Sequence, residues 1–175
     1  MMHDERIMVC ERRPAKQTAM KISPIIFTKA AVIATSTLTV DTPRAGFFDI
    51  THEVKSFLRD AGAITGAVAL FMRHTSASLT IQENADPDVL KDLMTVLNRL
   101  APEDGGWVHD SEGPDDMPAH IKPMLTSCSL AVPMLHGAMA PGTWQGLYLI
   151  EHRSRPHRRN IVLQFTGSVK DAAPL

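Results

Sequence analysis

Aliphatic residues alternate with threonine and serine through "AVIATSTLTV", from about Ala30, the period of a half-buried strand. "TPRAG" breaks the pattern and "FFDI" resumes it, which predicts a hairpin. In "THEVKSFLRDAG" the period changes. Val54, Phe57, Leu58 and Ala61 recur at helical spacing, Thr51 stands where a cap belongs, and Gly62 ends the run. "AITGAVALFM" is continuously small and apolar, which predicts a central strand covered on both faces, and "SLTIQE" alternates as the next strand after "RHTSA". The stretch from Asp86 to Gly106 reads as an N-cap, a proline at the first helical position and a stripe of Val89, Leu93, Val96, Leu97 and Leu100.

Beyond a polar loop from Pro102 to Met117, Pro118 opens a short helix, "PAHIKPMLTS", bent near Pro123. "SLAVPML", "GLYLIEH" and "NIVLQFTG" read as strands, with turn-rich "HGAMAPGTWQ" and basic "RSRPHRR" between them. Six or seven strands with two or three helices, joined by short links in the second half, predict a single α+β domain on a mostly antiparallel sheet. Residues 1–19 carry charges without a period, so they read as a mobile leader before a domain of residues 20–175, with Met20 as an alternative start.

Composition narrows the function classes. Apolar residues make up 44% of the 175 and charged ones 21%, enough for one substantial core. Eighteen basic against nineteen acidic side chains leave a charge of -1 without long like-charge blocks, which argues against nucleic acid or an anionic membrane as partner. No run reaches the roughly 18 uninterrupted apolar residues of a membrane helix. "PIIFTKAAVIATSTLTV" is split by Lys29 and lacks a clear cleavage site, so a cytoplasmic protein acting on a small ligand is expected. Two cysteines, Cys10 and Cys128, suit a reduced compartment, and Cys128 in "TSCSLAV" reads as a small buried hydrophobe.

Three histidines offer metal chemistry: His74 where a strand runs out, His109 in the polar loop and His120 near the start of the short helix. Only the fold can make them converge. The positive end of a helix dipole disfavours imidazolium, leaving the His120 ring neutral and able to donate a lone pair. Asp110, Glu112, Asp115 and Asp116 either orient such rings or simply cap the helix and solvate the loop. Anion chemistry is the second theme. Ser76 and Ser78, Gln145 in "GTWQG", and Arg153, Arg155, Arg158 and Arg159 suit phosphate, although the arginines also suit a solvated hairpin tip. Glu83 and Asn84 face a site, or Asn84 holds a left-handed turn before the capped helix, and Trp144 is a packed aromatic or a plate for a flat ring.

Together, "HTSASLTIQENADPDV", "HDSEGPDDMPAHIK" and "GTWQGLYLIEHR" resemble the YjbQ-like family, often named the secondary thiamine-phosphate synthase family, from about Ile33 to Gly167. The resemblance implies a curved antiparallel sheet, a homotrimer, and a site near a subunit boundary. It points to His74, His109 and His120 as metal-binding residues. It also points to Ser76, Ser78, Glu83, Asn84, Asp116, Gln145 and Arg158 as the surroundings of a phosphorylated substrate. The implied reaction joins a hydroxymethylpyrimidine diphosphate to a thiazole phosphate and releases pyrophosphate, as a secondary activity. Diphosphate departure ordinarily recruits magnesium, whereas three imidazoles favour zinc. Two alternatives stand beside it: metal-assisted hydrolysis of a phosphorylated metabolite, with Glu83 or Asp116 as general base, and a trimer that binds metal or metabolite without turnover.

Overall fold

The computed structural model describes residues 32–170. The leader at residues 1–19 and the first residues of the opening strand lie outside the described residues. The chain runs β1 (Val32–Thr42), β2 (Gly46–Asp49), α1 (Thr51–Asp60), β3 (Ala63–Met72), β4 (Ala77–Glu83), α2 (Pro87–Leu100) and α3 (Asp116–Leu125). It ends with β5 (Ser129–Leu135), β6 (Ala138–Met139), β7 (Gln145–Glu151) and β8 (His157–Val169). Three helices thus accompany two sheets of order β1-β8-β3-β5-β6 and β2-β7-β4. Every pairing between strands is antiparallel.

Both helices predicted from periodicity before Leu100 form. Asp86 caps α2, its Oδ1 accepting the Asp88 N–H at 2.9 Å, and Pro87 follows at the first turn, where its missing donor costs nothing. Ile50 occupies the N-cap position of α1, and Thr51 instead accepts the Leu147 N–H on its hydroxyl, fastening the helix to β7. Gly62 adopts a φ of 66° just beyond α1, where a side chain would be strained.

The expected β1–β2 hairpin does not form. β1 pairs with β8 and β2 with β7, so "TPRAG" carries the chain from one sheet to the other. Thr42 fixes that crossing, donating its hydroxyl to Glu151 at 2.7 Å. β7 and β8 likewise lie in different sheets, and β8 begins inside the supposed basic turn at His157.

The core sits between the sheets under α1: Val54 and Leu58 pack with Val68 and Leu70 of β3, Leu147 and Leu149 of β7, and Leu163 and Phe165 of β8. The sequence predicts β3 to be covered on both faces, yet Ala67, Ala69 and Phe71 are exposed within this chain. The outer rows of the larger sheet run Ile33, Thr166, Ala67, Pro133; then Thr35, Gln164, Ala69, Ala131; then Thr37, Val162, Phe71, Ser129. No charged residue interrupts these rows. The stripe of α2 is also open: Leu97 is buried, but Val96 and Leu100 are 47% and 60% exposed. Cys128, expected inside, is exposed, because it ends the link from α3 at the edge of the sheet.

Candidate functional site

Asp116 and His120 stand one helical turn apart on α3, which puts both side chains on one face. The polar loop before α3 folds His109 onto the same point. Its Nε2 lies 3.2 Å from Asp116 Oδ2, His120 Nε2 lies 3.5 Å from Asp116 Oδ1, and the two imidazole rings are 5.3 Å apart between centroids. One ligand atom from each residue falls within 4.8 Å of the others. A tetrahedral zinc site with bonds of about 2.0–2.1 Å requires ligand spacings of about 3.4 Å; each imidazole lies near that distance from one oxygen of Asp116, and the set as a whole is somewhat wider.

Neighbouring groups hold these side chains in place. His120 donates from Nδ1 to the Thr75 carbonyl at 3.2 Å, which leaves the Nε2 lone pair turned towards the cluster. Asp116 is buried and receives Arg153 Nη1 on Oδ1 at 2.6 Å. Arg153 also meets Glu112 at 3.1 Å and Asp115 at 3.3 Å. Three carboxylates around one guanidinium leave two negative charges, a balance suited to a divalent cation. Asp115 does not cap α3 through its side chain, and its Oδ2 instead accepts the Ser154 N–H at 2.7 Å and hydroxyl at 2.9 Å. Burial pushes its carboxyl up, but these bonds and Arg153 outweigh that and hold it below the usual range.

Beside the cluster lies a cavity of about 560 Å³, lined by His120 and His74 and by the apolar Phe71, Met72, Pro123 and Met124. His74 approaches it from the other side to α3, and its Nε2 accepts the Asn160 N–H at 3.0 Å. The structure therefore brings His109, His120 and Asp116 to one point and sets His74 apart from it.

The other expected residues are scattered. Ser76 is half-buried, with its carbonyl accepting from Arg159 Nη2 at 3.4 Å. Ser78 is fully buried, and its hydroxyl is committed to His152 Nε2 and Thr126 Oγ1, both at 2.8 Å. Glu83 pairs with Gln145 at the far end of β4, and the Asn84 N–H donates to the Trp144 carbonyl in the adjoining turn. Six residues of strand, about 20 Å, separate Glu83 from Ala77 at the cluster end. Arg158 lies on another surface, in a bidentate pair with Asp41. Trp144, expected as a packed aromatic or a plate, is exposed.

Sequence patterns do not reveal the buried polar residues. Glu151, Arg153 and Arg159 form ion pairs beneath the cluster, where the sequence suggests a solvated hairpin tip. Lys122 is buried on α3, with Nζ donating to Asn98 at 2.8 Å, and burial pulls its ammonium below the ordinary value. His152 is buried next to Ser78, and its Nδ1 has no partner among the described residues. The available signal is "LYLIEHR", where charges follow an unbroken apolar run, but it marks burial without naming a partner.

Burial pushes the His152 imidazole from 6.5 down to about 3, with Lys122 adding to the effect. Between those values the unfolded chain binds a proton that the folded chain refuses, so this stability is complete above pH 6.5 and declines as pH falls. Urea titrations should show a loss approaching about 1.4 kcal/mol per pH unit below 6.5. A His152→Gln variant should show a shallower decline, and an identical pH slope would refute the assignment.

Two antiparallel sheets with a histidine–carboxylate cluster held by one short helix and the loop before it define a small α+β domain with a candidate metal site. The family model described as "UPF0047 protein YjbQ-like" matches residues 36–168, and the chain belongs to that family. It is 45% identical over 133 residues to a UPF0047 protein of Synechocystis sp., covering 75% of this chain and 90% of that one. Against UPF0047 protein YjbQ of Escherichia coli O157:H7 the identity is 41% over 132 residues, covering 75% and 96%. A conserved hypothetical protein from Thermus thermophilus has a similar crystal structure, with TM-score 0.65 at 38% identity, covering 73% of this chain and 97% of that one.

Proposed function

We propose that the protein is a metal-dependent enzyme that holds a divalent transition ion on His109, Asp116 and His120 and acts on a small phosphorylated molecule. The convergence of those three ligand atoms carries the reading. Two imidazoles and a carboxylate favour zinc over magnesium, which prefers oxygen donors throughout. Such an ion, when bound, polarises a phosphoryl oxygen and offsets the charge of a leaving phosphate or diphosphate. The chain itself orients the His120 ring through the Thr75 carbonyl and holds Asp116 through Arg153. Transfer of hydroxymethylpyrimidine from its diphosphate to thiazole phosphate is the specific reaction that the family resemblance suggests, as a secondary activity.

Binding without turnover is favoured by one observation. Asp116 belongs to the ligand cluster and Glu83 lies at the other end of β4, so neither expected proton carrier stands free beside the cluster in one chain. The homotrimer that the family resemblance suggests would relieve this only where a neighbouring copy supplies a proton carrier at the cluster, and Glu83 at the far end of β4 is the residue to test. The uncharged outer rows of the larger sheet support such self-association.

Elemental mass spectrometry on protein purified without added metal tests the reading. About one zinc per subunit is expected, and His120→Ala, which deletes one of the three ligands, should bring the zinc content well below one per subunit. Zinc absent from the wild type even after its addition would overturn it. Product analysis then separates the reactions: a new carbon–nitrogen bond marks transfer, free phosphate marks hydrolysis, and neither marks a binding protein.

A further inference from the structure

The connection from β3 to β4 is fastened at every residue: Arg73 N–H donates to the Asn160 carbonyl, His74 Nε2 accepts the Asn160 N–H, Thr75 accepts from His120, and Ser76 accepts from Arg159. One short segment therefore ties β8 to α3 along the wall of the cavity. His74 Nε2 spends its lone pair on the Asn160 amide, so in a neutral ring the hydrogen must reside on Nδ1. A nitrogen that bears hydrogen has no lone pair to give a metal. Burial, with the nearby Arg159 charge, pulls this imidazole below its ordinary value and so favours the neutral ring that the Asn160 bond requires. Among the described residues, the ring's one hydrogen bond is on Nε2, which leaves Nδ1 uncommitted.

Arg73 stands beside it on the same cavity, exposed and in no ion pair among the described residues. Of the arginines that looked best suited to phosphate, Arg153 is committed to Asp116, Arg158 to Asp41 and Arg159 to Glu151, while Arg155 lies in the connection between β7 and β8 and does not line this cavity. An uncommitted guanidinium and an adjacent N–H donor at the mouth of an apolar cavity complement an oxyanion carried on an apolar body.

We propose that Arg73 and the Nδ1–H of His74 bind the oxyanion of a phosphate monoester whose apolar group lies against Phe71, Pro123 and Met124, with His74 acting as hydrogen-bond donor and not as metal ligand. This deepens the proposed function, since it assigns the anion to the β3–β4 connection next to the metal cluster.

The probes are inorganic phosphate and phenyl phosphate, titrated calorimetrically into the full chain, first metal-free and then with zinc. Phenyl phosphate should bind the metal-free protein more tightly than inorganic phosphate, and Arg73→Ala should weaken it about tenfold, the loss of one charge-assisted bond. His74→Gln places a carbonyl where Nε2 accepts and deletes the Nδ1 donor. It should weaken phenyl phosphate similarly while the zinc content and urea midpoint stay at wild-type values. His74→Asn provides the converse, retaining a donor near Nδ1 and losing the acceptor for Asn160, so it should lower the urea midpoint more than His74→Gln does. Loss of zinc in His74→Gln would make His74 a ligand and overturn the proposal. So would phenyl phosphate affinity unchanged in both Arg73→Ala and His74→Gln, or equal wild-type affinity for the two probes. If the wild type takes up no zinc, the metal reading fails alone, and the metal-free titrations still decide the anion site.

Discussion

Arg159→Leu should lower the unfolding free energy by about 3–5 kcal/mol, because it strips the cation from a carboxylate that remains buried. Glu151 has no exposed surface, and Arg159 meets it through Nε at 2.7 Å and Nη2 at 2.5 Å. The remaining partners, the Thr42 hydroxyl at 2.7 Å and the Arg153 N–H at 3.0 Å, supply dipoles but no compensating charge. Urea denaturation at pH 7 measures the loss. Arg158→Leu is the control, because its pair with Asp41 is open to water and its removal should leave the midpoint almost unchanged. Equal midpoints for the two variants would sink the argument. Replacing Glu151 with methionine in the Arg159→Leu background should recover part of the loss, since the stranded charge is then gone.

pH separates this effect from loss of packing. Burial pushes the Glu151 carboxyl up, but the hydrogen bonds from Arg159, Thr42 and the Arg153 amide outweigh it and hold the group below 4.5. A depressed carboxyl contributes stability that is complete above the unfolded value and is lost as pH falls through the folded one. Without Arg159 the burial effect prevails and the folded value rises, so protonation relieves the stranded charge. The deficit of Arg159→Leu should therefore shrink between pH 7 and 5, whereas a deficit independent of pH would indicate a packing defect alone.

How much of this was legible follows from the range over which each signal acts. α2 was readable because its cap, its proline and its stripe are local, and Asp86 performs the expected bond. Strand identity was readable for the same reason. Strand partners were not: β1 pairs with β8 across almost the whole chain, and a period of two says which face is buried without saying against what. The adjacency of "TPRAG" and "FFDI" suggested a hairpin, while the deciding contact was Thr42 with Glu151, 109 residues away. In the site, the expected helix opened at Pro118, two residues after the observed start at Asp116, so the turn that joins Asp116 to His120 was missed, and the return of His109 depends on the loop. Glu151, His152 and Arg159 were opaque, because each is tolerable inside only through partners that sequence does not reveal.

Ala69→Glu should convert an assembly into monomers at micromolar concentration. Ala69 lies in the middle row of the outer face, flanked by Gln164 of β8 and Ala131 of β5, and beyond them by Thr35. Its side chain points away from Val68 and Leu70, so glutamate there meets water in the single chain and leaves the core untouched. At the centre of an interface the same carboxylate would be buried without a cation, since the three rows offer none, and the cost is several kcal/mol at each contact. Light scattering should give a trimer mass for the wild type and a monomer mass for Ala69→Glu, with circular dichroism unchanged. The metal cluster adds a second readout. His109, Asp116 and His120 all come from one chain, so zinc binding should survive dissociation. An activity that also needs Glu83 or Gln145 from a neighbouring copy should fall with it. A wild-type monomer would remove the neighbour from the site, and loss of zinc on dissociation would mean that the cluster is completed by a second subunit.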